Sequence, residues 1–184
     1  MNTSIWQEIT AELHAGTHKK THPFRYGTLA TVGLETLPRQ RTIVLRAFDP
    51  EEMRISFYTD TRSKKILHLK ENNRVSLLLF NPGKQLQVRI EGLAHRERSE
   101  SVLQECWARL QAGARRDYTS LQSPGTEITD PHRIDYMQKE TSDFFGIVHI
   151  FPFKIEYLKL VKPDHLRVRF SKEKQAWNSE YLVP

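Results

Sequence analysis

The stretch from Val75 to Glu91 constrains this chain more than any other. Val75, Leu77 and Leu79 alternate with Ser76, Leu78 and Phe80; Asn81-Pro82-Gly83 follows; then Leu86, Val88 and Ile90 alternate with Gln87, Arg89 and Glu91. A period of two is the period of a strand with one buried face. Asn-Pro-Gly supplies the turn chemistry that reverses the chain. The same pattern recurs elsewhere. Tyr26 to Val32 predicts a strand ended by Gly33. Pro38 to Phe48 predicts a second, with Arg39, Arg41, Ile43 and Leu45 on one face and Thr42, Val44 and Arg46 on the other. Asp49-Pro50 turns the chain, and Met53 to Tyr58 predicts a third. Strand patterns return at Phe145 to Leu160, at Leu166 to Phe170 and around Trp177 to Leu182. Many short strands with tight turns and few helices predict a mainly β protein, a closed or nearly closed antiparallel barrel with flanking helices.

Three helices are expected beside the strands. Residues 3–14 place Trp6, Ile9 and Leu13 on one face, with Thr3 or Ser4 as cap, and residues 16–23 read as loop. Ser63 to Lys70 is short. Ser99 to Gln111 carries an apolar stripe of Val102, Leu103, Cys106, Trp107 and Leu110, which suits core or a subunit interface. Residues 112–143 are polar and read as loop with a short helix near Tyr136. No repeat, low-complexity tract or linker divides the 184 residues, so one domain spanning 1–184 is expected.

Composition narrows the function classes. Apolar residues make up 38% and charged residues 27%, which suits a folded soluble chain. The net charge of +6 favours acidic partners such as phosphates without choosing among them. The single cysteine forbids an internal disulfide and fits a reducing compartment. With no basic segment and apolar core at the N-terminus, and no apolar run long enough to span a bilayer, a cytoplasmic protein without membrane contact is expected. Paired carboxylates, a nucleophile elbow, a Walker loop and zinc spacing are all missing from the sequence. His149 and His165 fall on strands, where a lone histidine is usually structural.

The segment Tyr58-Thr59-Asp60-Thr61-Arg62-Ser63-Lys64-Lys65 carries the clearest chemistry. A strand ends, a polar turn follows and a helix begins near Ser63. A helix N-terminus presents free N–H groups and partial positive charge, which favours an anion. Lysine there is unfavourable by about 0.3–1 kcal/mol, so Lys64 and Lys65 either contact an anion or point into solvent. Arg41 and Arg46 on the preceding strand supply guanidinium groups suited to phosphate. By parity they face opposite sides, unless a bulge re-aims one.

Arg41-Thr42-Ile43-Val44-Leu45-Arg46, Phe57-Tyr58-Thr59-Asp60, Ser63-Lys64-Lys65 and Leu86-Gln87-Val88-Arg89-Ile90-Glu91-Gly92 stand in the order and spacing of the pyridoxamine 5′-phosphate oxidase family. The chain resembles that family from about Pro23 to its end, through Gln122-Ser123, Phe144-Phe145-Gly146, Ile155-Glu156-Tyr157 and Arg169-Phe170. The resemblance implies an FMN-binding split barrel and a homodimer with FMN at the subunit interface. It implies that Arg41, Thr42, Ile43, Val44, Leu45 and Arg46 run along the flavin and that Tyr58 and Thr59 line the site. Ser63, Lys64 and Lys65 would hold the phosphate, and Gln87 would reach the ring. Gln122, Ser123 and Arg169 would complete the site from the other subunit. Gln87 as an ordinary exposed strand residue, and Gln122-Ser123 as ordinary loop, are the alternatives.

The resemblance departs where the oxidase grips the phosphate of its B6 substrate. That family uses a tyrosine, an arginine and a serine near the long helix; here the region reads Glu105-Cys106-Trp107-Ala108-Arg109-Leu110. An Arg-x-His element is replaced by His165-Leu166-Arg167, and the tryptophan expected beside the flavin falls at Leu158. The expectation is an FMN flavoprotein, an oxidoreductase acting on a small molecule, with an altered B6-phosphate site. The alternative is a flavin-binding module without turnover. Nucleic-acid binding ranks last, because the aromatics fall at apolar-face or turn positions rather than among the basic residues.

Overall fold

A computed structural model describes residues 1–33, 35–138 and 141–184. Helix α1 (Thr3–His18) comes first, followed by strands β1 (Tyr26–Val32), β2 (Pro38–Asp49) and β3 (Arg54–Asp60). Helix α2 (Lys64–Glu71), strands β4 (Arg74–Asn81) and β5 (Leu86–Arg96), helix α3 (Glu100–Arg109) and a single turn α4 (Ala112–Arg115) come next. Strands β6 (Phe145–Lys159), β7 (Leu166–Glu173) and β8 (Ala176–Leu182) complete the chain.

The strands lie in the order β3-β2-β1-β4-β5-β6-β7-β8, and β3 also pairs with β6. That pairing closes six antiparallel strands into the expected barrel. Strand β6 makes closure possible by serving two partners along one edge. Ile147 and His149 lie beside β3, whereas Ile155 and Tyr157 lie beside β7. The strand bends at an irregularity opposite Glu91 and Gly92. Gly92 is needed there: a Cβ would sit 2.7 Å from the Phe151 carbonyl oxygen. Leu29, Leu45, Phe57, Leu77, Val88 and Ile155 fill the interior, all fully buried. The alternation read from the hairpin segments holds throughout: Val75, Leu77 and Leu79 point in, and Leu78 and Phe80 stay exposed.

Helix α1 closes one end of the barrel. Asn2, rather than Thr3 or Ser4, is its cap, accepting from the Ile5 N–H at 3.3 Å. The helix runs on past residue 14 because Gly16 lets Phe24 pack directly on its backbone; a Cβ there would meet the Phe24 carbonyl at 2.8 Å. Glu12, only 4% exposed, faces the barrel and binds the Asn81 amide at 2.8 Å and Lys84 at 2.5 Å. Trp6 lies between Phe170 and Trp177, with ring centroids 5.2 and 5.0 Å away.

Helix α2 lies over the other end, burying Ile66, His68 and Leu69. Helix α3 lies against the outside of β6, so no residue of it is fully buried. Leu103, Cys106, Trp107 and Leu110 of its stripe pack on a second apolar cluster of Tyr118, Phe145 and Ile147. Cys106 is therefore half-buried at this seam rather than a core residue. Among the described residues no helix forms near Tyr136. Leu121 N–H donates to Asp135 O at 2.8 Å and Met137 N–H to Thr119 O at 2.9 Å, which draws this stretch into an extended bridge with Ser120. The helical turns fall earlier, at residues 112–118.

Candidate functional site

The strand–turn–helix segment places its polar groups around one cluster. Ser63 caps α2 with its side chain turned away from the helix, donating to Asp60 O at 2.8 Å. Thr59, at the end of β3, lies 3.2 Å from it. The two lysines part company. Lys64 is exposed, while Lys65 folds back and donates to Thr59 Oγ1 at 2.9 Å and to Ser63 Oγ at 3.1 Å. Burial, then the positive charge of Arg41, pulls the Lys65 pKa below its ordinary value. Arg41 points inward beside Ile43 and Leu45, as parity requires, and burial pulls its pKa down too. Its three recorded bonds go to Leu29 O, Thr31 Oγ1 and Arg39 O, none of them a carboxylate.

The nearest carboxylate, Asp60, is committed elsewhere. Both its oxygens accept from Arg62, at 3.1 and 2.7 Å. Arg62 in turn donates to Ser120 O and Leu121 O and covers the Phe144 ring, so it ties the loop after α4 to the site. Two desolvated cations thus stand together, and among the described residues their hydrogen-bond partners are neutral hydroxyls and carbonyls. Such a pair is stabilised by an added anion.

Arg46 joins them through a bulge. Leu45 pairs with Phe57 but Ala47 pairs with Ser56, so Arg46 is the extra residue on β2. Its guanidinium lies 5.5 Å from the centre of the Tyr58 ring, on the same cavity as Lys65. That cavity, about 260 Å³, is lined by Thr42, Ile43, Val44, Arg46, Tyr58, Thr59, Asp60 and Lys65, with Asp117, Tyr118 and Pro124 closing it. Asp117, Tyr118 and Pro124 were not expected from the sequence; an aromatic in a polar stretch was the one available hint. Burial, then the Cys106 thiol beside it, pushes the Tyr58 phenol up to about 12. Tyr118 is raised as well, chiefly by burial.

The remaining expected residues lie elsewhere in the chain. Leu45 is fully buried in the barrel, so only its backbone could face a ligand. Gln122 and Ser123 line an adjoining cavity of about 540 Å³ that shares Asp117 and Pro124 with the first. Gln87 and Arg169 stand on the outer face of β5 and β7, away from the cavity. Arg169 is paired there with Glu180. A larger cavity of about 740 Å³ lies between α2 and α3. The smaller one is lined by Lys65 and Arg46, with Arg41 close to Lys65 but outside the lining, and that chemistry outweighs volume. His149 bridges Ser56 at 2.8 Å and Glu97 at 3.1 Å, a cross-link between strands away from the cavity. Among the described residues no group of three or more candidate metal ligands gathers, and no helix is long and apolar enough to cross a membrane.

A closed six-stranded barrel with clustered, partly desolvated cations on its wall defines a split-barrel protein with a site suited to an anionic ligand. Comparison with known proteins gives the same class. Residues 3–96 match the family described as pyridoxamine 5′-phosphate oxidase, FMN-binding domain. A pyridoxine/pyridoxamine 5′-phosphate oxidase from Aliarcobacter butzleri is 30% identical over 178 residues, covering 90% of this chain and 82% of that protein. The Haemophilus influenzae protein of that name is 27% identical over 169 residues, covering 85% and 78%. A crystal structure of a pyridoxamine 5′-phosphate oxidase-related, FMN binding protein from Nostoc punctiforme superposes with a TM-score of 0.78 at 23% identity, covering all of both chains. PhzG from Burkholderia lata, in complex with tetrahydrophenazine-1-carboxylic acid, does so at 0.78 and 20% identity, covering 99% and 92%. The chain belongs to the pyridoxamine 5′-phosphate oxidase FMN-binding family, and FMN is the cofactor of that domain. The donor set fits it: two cations with no carboxylate partner among the described residues and the N–H groups of the first turn of α2 suit a phosphate dianion, with the Thr59 and Ser63 hydroxyls holding Lys65 in place.

Proposed function

We propose that this protein is an FMN-dependent oxidoreductase acting on a small molecule other than a B6 phosphate. One observation carries the reading: Lys65 and Arg41 are held together, partly desolvated, with no carboxylate in contact among the described residues. Lys65, Thr59 and Ser63 would hold the phosphate, with Arg41 behind them. Thr42, Val44, Arg46 and Tyr58 would flank the rest of the cofactor along the cavity. When bound, FMN supplies the two-electron chemistry. The chain supplies binding, orientation and a positive field from Arg46. Tyr58, with its raised pKa, remains a neutral phenol able to donate a hydrogen bond at physiological pH.

The altered B6-phosphate site rests on where the nearby cations point. Arg109 of α3 is exposed and paired with Glu105 on its own helix. Arg167, at the family's histidine position, donates to Glu156 at 2.8 Å. His165 is exposed and lies against Val161 O at 3.0 Å. Arg109 and Arg167 are thus each engaged by a carboxylate of this chain.

A homodimer belongs to the same proposal. Tyr26, Leu78 and Phe80 are 57%, 38% and 42% exposed on neighbouring strands of one outer face. Gln87 pairs with Phe80, and Arg169 lies two strands further on the same face. Burying this face against a second copy would bring Gln87 and Arg169 toward the other subunit's cavity.

The tests are direct. The purified protein should be yellow, release FMN on denaturation and scatter light as a dimer. Colourless protein that fails to bind added FMN refutes the cofactor assignment. Stopped-flow reduction with NADH, NADPH and pyridoxamine phosphate separates an enzyme from a flavin-binding module. Reduction by a nicotinamide but not by pyridoxamine phosphate is the expected outcome. Rapid turnover of pyridoxamine phosphate would overturn the altered-site reading.

A further inference from the structure

A buried histidine stands behind the phosphate cradle with no part in lining it. His68, on the inward face of α2, is 8% exposed. Its Nδ1 lies 3.0 Å from the hydroxyl of Thr31, which is 2% exposed on β1. The same hydroxyl lies 2.7 Å from Nη1 of Arg41. The Arg41 contact has only one direction. A guanidinium only donates, so Thr31 Oγ1 accepts from Arg41. The hydroxyl keeps one hydrogen and a second lone pair, so it meets His68 Nδ1 as donor or as acceptor, according to the ring tautomer. Burial first, then the charges of Arg41 and Arg39 from β2 and Lys64 from its own helix, hold the imidazole below its ordinary pKa. All of those facing charges are positive, so the neutral imidazole is the form the site favours, and either of its tautomers keeps the bond to Thr31.

The effect on Arg41 is specific. Its three recorded bonds, to Thr31 Oγ1, Leu29 O and Arg39 O, all leave from Nη1. One corner of the guanidinium is pinned, and among the described residues nothing accepts from Nε or Nη2, whose hydrogens are left for a ligand. An arginine fixed in advance loses less side-chain freedom on binding, and that saving appears as affinity. We infer that Thr31 and His68 are positioning residues for the cofactor phosphate: the hydroxyl–imidazole pair anchors Arg41 so that its free edge stands ready beside Lys65. This inference rests on the phosphate assignment proposed above.

The full-length chain carrying Thr31→Val, Thr31→Ser, His68→Leu or His68→Gln, stripped of flavin, is titrated with FMN and separately with riboflavin, which lacks the phosphate. Thr31→Val and His68→Leu should each weaken FMN binding about tenfold, the size of one lost hydrogen bond to a charged group. Riboflavin binding should stay within about twofold, because a general loss of fold would lower both ligands together. Thr31→Ser keeps the hydroxyl and His68→Gln keeps an amide able to donate or accept, so both should recover FMN binding to within about threefold of the parent. Unchanged FMN affinity in Thr31→Val and His68→Leu, or an equal loss for both ligands, overturns the positioning role while leaving the phosphate assignment intact. A parent protein that binds riboflavin as tightly as FMN overturns the phosphate assignment itself.

Discussion

Replacing Lys65 with methionine should move two measurements in opposite directions. In the ligand-free protein Lys65 is a cation held partly out of water beside Arg41. Its pKa is below the ordinary lysine value, so the protonated side chain opposes folding at neutral pH, and that penalty eases as pH climbs toward 10.5. Thr59 and Ser63 keep each other and Asp60 O as partners without it. Methionine keeps the aliphatic stem and removes the charge. Lys65→Met should therefore leave the flavin-free protein as stable as the parent, or slightly more so. FMN binding loses a charge-assisted contact of about 1.5–3 kcal/mol, a ten- to hundredfold rise in Kd. Chemical denaturation with and without FMN reads both effects. At FMN one hundred times the parent Kd, the ligand stabilises the parent by about 2.7 kcal/mol. The same concentration should stabilise Lys65→Met by only about 1.4 kcal/mol for a tenfold loss, or about 0.4 kcal/mol for a hundredfold loss. An unchanged FMN-dependent gain would show that the phosphate sits elsewhere. A flavin-free variant destabilised by more than about 2 kcal/mol would show that Lys65 is a structural ion, contrary to the electrostatic argument.

Three other outcomes follow from the same structure. Tyr58, Tyr118 and Tyr157 all have phenols raised above their ordinary value of 10.0, so the folded state keeps protons that the unfolded chain releases. Stability should fall as pH rises from about 10 toward 12, and Tyr58→Phe should flatten part of that slope in urea titrations; a flat profile in the parent counts against the raised values. Glu12→Ala strips the buried Asn81 amide and Lys84 of their shared carboxylate and should lower unfolding free energy by about 1–3 kcal/mol, with Trp6 fluorescence reporting looser docking of α1. Gly92→Ala forces a Cβ to 2.7 Å from the Phe151 carbonyl at the bend of β6 and should cost about 2 kcal/mol or more; a loss under about 0.5 kcal/mol would mean the bend relaxes freely.

Much of the barrel was legible because strand burial is written with a period of two. The hairpin around Asn81-Pro82-Gly83 and the inward set Val75, Leu77, Leu79, Leu86, Val88 and Ile90 needed only that rule. The spacing also placed Ser63 at the start of α2 and Arg41 on the inward face. Helix ends and the long polar stretch were less legible. The run of α1 to His18 depends on Phe24 meeting Gly16, and the pairing of Ser120 with Tyr136 depends on backbone partners fifteen or so residues apart in a stretch without periodicity.

The sequence alone determined that this chain would form an antiparallel barrel carrying a basic strand–turn–helix unit, since local alternation and turn chemistry encode both. Only the tertiary structure decided what the unit does. It exposed Lys64 and turned Lys65 inward, used a bulge to bring Arg46 onto the same cavity, and closed that cavity with Tyr118 from a distant loop. It also placed His68 behind Arg41 through Thr31, a contact between three elements that no local pattern announces. Charge and desolvation depend on which groups meet across the fold, and those meetings are set by strand closure rather than by neighbours in the chain.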